Sequence, residues 1–332
     1  MTDDYAERIK AEISTFEKAL AVGGVTSSIP SAFTWWASKY LSPRLDSVFG
    51  ERDISKIFAT EIFRTASTKG KFNLRILSLG SGDCQFEEQV DTILREGAVR
   101  AQWICTDLNP AIGAHALKRI SDANTSAQFE VQALDLNKEF PSGTFDVVMA
   151  NHSLHHFVEL EFIFEQTRRA IGLDGRFIVS DMIGRNGHMR WPEALPFVEM
   201  FWRSLPDAYR LNNHAKCVEG ESFVNYDCTI GGDFEGIRAQ DILPLMLYNF
   251  SFEKFVAFGG LTDIFIDRSY GDNFSMDREF DQRFIRLVHE MNMHLIDIGL
   301  VKPTMLVATA GAGELQCDFD RWSPRHSVRN VD

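Results

Sequence analysis

The chain has 332 residues, 45% of them apolar, enough for one large domain or two small ones around a sizeable core. Its 34 Lys and Arg against 47 Asp and Glu leave a net charge of −13. With no Lys/Arg run, that balance argues against nucleic acid or an anionic membrane surface as a partner and favours a cationic ligand.

Five scattered cysteines without a C-x-x-C pair argue against a disulfide framework or a structural zinc site. An acidic N-terminus without an apolar h-region, and the lack of any apolar run near ~18 residues, lead to the expectation of a soluble, cytoplasmic protein.

The first seventy residues read as helices. Tyr5, Ile9, Ile13, Phe16 and Leu20 make one apolar stripe ended by Gly23-Gly24. A second helix follows Pro30 with Phe33, Trp36, Tyr40 and Leu41, and a third runs from about Asp53 to Thr68.

From Asn73 the pattern becomes strand–turn–helix. Predicted strands lie at 74–79, 103–106, 129–136, 145–150 and 176–180, with helices closed by Gly97 and Gly172 and one opened by Asn109-Pro110. Such alternation implies right-handed crossovers and a parallel sheet. Residues 184–248 break it and are rich in aromatics: Trp191, Phe197, Phe201, Trp202 and Tyr226. Strand character returns at 252–266 and 303–309 around a helical stripe through Phe284 and Val288, and the tail from Gly311 has no periodicity.

In a doubly wound sheet, ligands bind beyond the carboxyl ends of the strands. There the sequence puts Gly80, Ser81 and Gly82 after the first strand, Asp107 and Leu108 after the second, Asp135 and Leu136 after the third, and Asn151, His152, His155 and His156 after the fourth. The glycines permit close approach of backbone to ligand. Asp107 is placed to accept ribose hydroxyls, and Asp135 an adenine amino group. A dinucleotide site would want a third glycine where Gln85 stands, so a nucleoside without a pyrophosphate fits better.

These segments, Leu77-Ser78-Leu79-Gly80-Ser81-Gly82-Asp83, Cys105-Thr106-Asp107, Leu134-Asp135-Leu136 and Phe145–Asn151 with Leu154-His155-His156, resemble the class I S-adenosylmethionine-dependent methyltransferase family. The resemblance covers residues 74–180 and is consistent with 252–309. It departs from the family at Ser78, where an acid is frequent, and at Cys84, where a third glycine is usual.

What the resemblance implies is an α/β, Rossmann-like fold with a doubly wound, mostly parallel seven-stranded sheet and S-adenosyl-L-methionine as cofactor. Gly80 and Gly82 would pass its methionyl part, Asp107 hold its ribose, Asp135 and Leu136 frame its adenine, and Asn151 lie beside its sulfonium, with Ser81, Leu108 and His152 adjoining. Expected segments are an N-terminal helical cap (1–72), a cofactor-binding core (73–183), an acceptor insertion (184–248), the rest of the core (249–313) and a tail (314–332).

The expected function is methyl transfer to a small, apolar or aromatic acceptor. His155, with His156 beside it, is the candidate base, although a histidine pair there also suits packing. The insertion aromatics would line the acceptor pocket or form a homodimer interface. Tyr40, Lys39 or Arg44 would reach the methionyl carboxylate. Asn151, Asp181 and a histidine lack the two-carboxylate spacing of a metal site, so no metal is expected. Alternatives are a methyltransferase acting on protein or peptide, and a non-catalytic module that binds the cofactor.

Overall fold

The structure is a computed structural model that describes residues 2–21, 29–122 and 128–329. Its strands are β1 (Asn73–Leu79), β2 (Arg100–Asp107), β3 (Gln128–Ala133), β4 (Val147–Asn151), β5 (Arg176–Met182), the short hairpin β6 (Leu211–Asn212) and β7 (Cys217–Val218), then β8 (Ser251–Phe258), β9 (Met305–Gly311) and β10 (Asp318–Phe319). The helices are α1 (Thr2–Ala21), α2 (Ser31–Trp36), α3 (Ser42–Phe49), α4 (Ile54–Lys69), α5 (Gln85–Glu96), α6 (Pro110–Asp122), α7 (Leu160–Ile171), α8 (Leu195–Arg203), α9 (Ala239–Asn249), α10 (Thr262–Ile266), α11 (Glu279–Asp297) and α12 (Pro324–Ser327). A π-helical turn at Ala37–Leu41 joins α2 to α3. The Gly23-Gly24 stop lies outside the described residues.

Local chemistry sets these bounds. The Asp53 carboxylate accepts the Lys56 amide at the start of α4, and the Asn109 side chain accepts the Ala111 amide at the start of α6. Left-handed Gly50 and Gly70 end α3 and α4. β1, β4 and β5 are apolar on both sides because helices cover both faces of the sheet.

The main sheet has eight strands rather than seven, in the order β10-β8-β9-β5-β4-β1-β2-β3. β9 is antiparallel to β5 and β8, and the remaining pairs are parallel. The eighth strand comes from the segment read as an aperiodic tail. It is too short for a pattern, yet Phe319 pairs with Phe255, and Trp322 is buried with its indole N–H on Asp297. The strand expected over 252–266 divides into β8 and α10 at Gly259-Gly260, both at positive φ.

The core lies in three places. On one face of the sheet α4 and α5 pack Phe58, Ile62 and Val90 against Ile76 and Trp103. On the other, α7 and α9 pack Phe164 and Ile242 against Val148, Phe177 and Phe255. A third cluster joins α2, α3, α8, α10 and α11 through Trp36, Phe49, Trp202, Phe265 and Ile285. Phe201 and Trp202 are therefore structural core. Their spacing on α8, read as pocket lining, serves the packing of α10 and α11 instead. Trp191 lies under the Arg329 guanidinium, and the Tyr226 hydroxyl donates to Glu219.

Candidate active site

After β1 the chain runs outward to β2 and β3, then returns to β4 on the other side of β1. This reversal opens a crevice at the carboxyl ends of β1 and β4, where such sheets bind ligands. Gly80, at φ 66°, takes the turn off β1, where a Cβ would stand 2.7 Å from the Ser153 side chain. Gly82 is also at positive φ, but a Cβ there would meet nothing within 4 Å. The loop is thus tight toward the protein and open toward the crevice. Cys84, at φ 60°, carries the left-handed conformation expected of the third glycine.

The Asp107 carboxylate receives the amides of Gly82 (3.0 Å) and Asn109 (2.8 Å) and stays partly exposed. Burial pushes it up, against those hydrogen bonds. A carboxylate fixed by backbone beside an open glycine loop is the acceptor a vicinal diol requires. Leu108 adjoins it, partly exposed.

Asp135 is more engaged than the sequence suggested. Its oxygens accept the Tyr5 hydroxyl (2.9 and 3.0 Å), the Asn137 amide and the Lys138 ammonium (2.8 Å). Burial would raise this carboxyl, but Lys138 and Tyr5 hold it below the usual range. Leu136 is buried beneath it. The unexpected neighbour is α1, which reaches the crevice, whereas Trp36, Tyr40 and Arg44 face elsewhere. Trp36 and Tyr40 pack on His289, and Arg44 pairs with Asp320.

Asn151 and His152 end β4, His152 at φ 51° with its amide on the Ser180 carbonyl. The next turn presents His155 and His156. Asp181, fully buried on β5, fixes that turn by accepting the amides of Ser153 (2.9 Å) and Leu154 (2.7 Å) through one oxygen. Its other oxygen faces His155 Nδ1 at 2.6 Å. Burial would raise Asp181, yet the His155 charge and hydrogen bond hold it at about 2. His155 is the mirror case: burial pulls it down, but Asp181 and Glu235 outweigh that and push it up to about 10.

The insertion meets this turn through polar groups rather than aromatics. Glu235 lies 3.5 Å from Nε2 of both His155 and His156, and 2.5 Å from Nε2 of His188. Burial would raise it, but His155 and His188 hold it well below the usual carboxylate range. The Gly187 amide donates to the Gly236 carbonyl at 2.9 Å, bringing His188 and Glu235 together. A Cβ on Gly187 would stand 2.1 Å from Asp227, so the approach requires glycine. Across the crevice, Glu12 of α1 lies 2.9 Å from His156 Nδ1.

The structure thus gathers Gly80, Ser81, Gly82, Asp107, Asn151, His152, His155 and His156 at the carboxyl ends of β1, β2 and β4. It adds Glu235 and Glu12, which the sequence did not single out. Asp181, weighed from the sequence only within an Asn151–histidine metal grouping, stands behind His155 instead.

Residues 77–179 match a family model described as a methyltransferase domain. A 156-residue stretch, 40% of the chain, is 27% identical to the highly reducing polyketide synthase 2 of Gibberella zeae, and it spans 6% of that protein. Among solved structures, the O-methyltransferase of a trans-AT polyketide synthase from Brevibacillus brevis, in complex with S-adenosyl-L-homocysteine, superposes with a TM-score of 0.44. It is 11% identical over 87% of this chain and 84% of that one. Geranyl diphosphate C-methyltransferase from Streptomyces coelicolor gives 0.40, 11% identity, 78% and 83%.

The methyltransferase-domain match falls on the segment from β1 to β5, the one that carries the glycine loop, Asp107 and the histidines after β4. No described helix is long and apolar enough to cross a membrane.

Proposed function

We propose that this chain methylates a small acceptor bearing a weakly acidic proton, and that His155 is the base that removes it. The observation that carries the reading is the buried His155–Asp181 pair at the carboxyl end of β4. S-Adenosylmethionine, when bound, supplies an electrophilic methyl group on a sulfonium cation, with Asp107 holding its ribose, Asp135 and Leu136 framing the adenine, and Gly80, Ser81, Gly82, Leu108, Asn151 and His152 beside it.

Asp181 accepts Nδ1–H and so directs the lone pair of the neutral ring to Nε2, on the Glu235 side. A proton taken by Nε2 is stabilised as imidazolium by Asp181 behind it. Glu235 then accepts that N–H, and half-exposed Glu235 and His188 offer the proton a way to water. Alignment of acceptor and donor supplies the rest of the rate, because an in-line displacement depends chiefly on position. The segment shared with a polyketide synthase favours a ketide-like acceptor.

The test is a pair of variants assayed with a panel of ketide, phenolic and amine acceptors. Asp107→Ala should weaken S-adenosylhomocysteine binding by about 2 kcal/mol in calorimetry, through loss of a charge-assisted pair of hydrogen bonds. His155→Gln should retain that binding while turnover falls about 10²–10⁴-fold, the range general-base catalysis supplies. Full turnover by His155→Gln would remove the base assignment.

A further inference from the structure

His155, His156 and Glu235 bring one ligand atom each into a space where all lie within 4.8 Å of one another. The two Nε2···O separations are 3.5 Å. Tetrahedral bonds of about 2.0–2.1 Å place adjacent ligands about 3.4 Å apart, so a zinc-sized ion fits between these atoms with little movement. The backing of each ligand is the stronger observation. Asp181 faces Nδ1 of His155 and Glu12 faces Nδ1 of His156, at 2.6 and 2.9 Å. Nε2 of His188 contacts an oxygen of Glu235. Carboxylates behind both imidazoles direct their Nε2 lone pairs forward, as outer-shell partners do at metal centres. Three carboxylates around one dication also leave the cluster negative, so the ion's charge is compensated.

We propose that His155, His156 and Glu235 form a binding site for a divalent transition-metal ion of the zinc class, with a fourth position open, whose occupation blocks methyl transfer. This differs from the Asn151–Asp181–histidine grouping weighed from the sequence. The ligand atoms come from the β4 turn and the insertion, and Asp181 serves from behind. The blocking half rests on the reading of His155 as base: an ion on Nε2 uses the lone pair that would take the acceptor's proton. The binding half does not.

The experiment titrates the full chain, stripped with EDTA, with Zn2+ by calorimetry, and follows methyl transfer at each concentration. One equivalent should bind, turnover should fall with the same midpoint, and EDTA should restore it. Glu235→Gln and His156→Gln should each weaken zinc binding at least tenfold, and Glu12→Gln about tenfold, the loss typical of an outer-shell partner. Exposed Cys217 and Cys228 are rival zinc ligands, so X-ray absorption of the parent's zinc complex provides a readout free of variants. Two nitrogens and a carboxylate oxygen without sulfur are expected. No stoichiometric binding, or a sulfur-rich shell, would overturn the site and leave the base reading intact. Binding with this shell but undiminished turnover would confirm the site and overturn its blocking role, and with it the assignment of His155 as base.

Discussion

Two buried histidines show how neighbours decide charge at the scale of one residue. His155 sits among carboxylates, which push its pKa up. His289 on α11 is buried under Trp36, whose indole N–H donates to Nδ1 at 3.1 Å, and Tyr40 packs on its ring. Burial pulls His289 down, and the Arg44 and Arg321 cations add to that, to about 4. An unfolded chain binds this proton near pH 6.5, so between pH 6.5 and 4 the unfolded state holds more protons than the folded one. The stabilising contribution is therefore full above pH 6.5 and lost as pH falls toward 4. Urea unfolding should show the parent losing about 2 kcal/mol more over that range than His289→Phe does. The variant should start about 1–3 kcal/mol lower at pH 7, because the Trp36 N–H is left unpaired. Parallel pH curves for the two proteins would contradict this account.

At the scale of elements, α4 is tied to β8 by a buried ion pair, Lys254 Nζ to Glu61 at 3.0 Å, both side chains under a tenth exposed. Removing one partner strands a charge in the core, whereas replacing both with apolar groups removes the desolvation penalty as well. Lys254→Ala should thus destabilise by about 3–5 kcal/mol in chemical denaturation, and Glu61→Leu with Lys254→Met should recover most of it. A double variant as unstable as the single would show that the pair provides net stability. Periodicity revealed neither this pair nor the polar half of the active site, and the reason is the same. β1, β2, β4 and β5 and the glycine loop are local patterns, so Gly80, Gly82 and Asp107 could be read from spacing alone. Glu235, His188 and Glu12 lie on loops or a polar helix face, far apart in the chain, and meet only because the sheet brings their elements to one crevice. The aromatics of α8 misled because large rings suit a pocket and a helix interface equally.

For the whole molecule, α1 is the element whose removal separates stability from function. Among its described side chains the only well-buried one is Glu12, and none of these joins the three apolar clusters. Its described contacts are mostly polar, and they bridge two groups of elements. On one side Tyr5 donates to Asp135, and Asn109 donates to the Ile13 carbonyl. On the insertion side Arg8 donates to the Asp233 carbonyl at 2.8 Å, the Phe234 amide donates to Glu12 at 2.9 Å, and the Tyr5 and Phe234 rings lie 5.5 Å apart. Glu235, next in the chain, is therefore held over His155 by a helix whose described side chains contribute little apolar burial. A protein lacking residues 1–21 should melt within about 4 °C of the parent, since a loss near 1 kcal/mol moves a domain of this size by only a few degrees. Its affinity for S-adenosylhomocysteine should fall about tenfold, a loss of about 1.4 kcal/mol. Amide exchange over 229–236 should speed up, because that loop loses its main external tie. Unchanged affinity and exchange would make α1 a bystander, and loss of the folded core would make it a structural element. A selective effect on the loop and the cofactor would establish that acid–base groups from the insertion are positioned through the N-terminal helix.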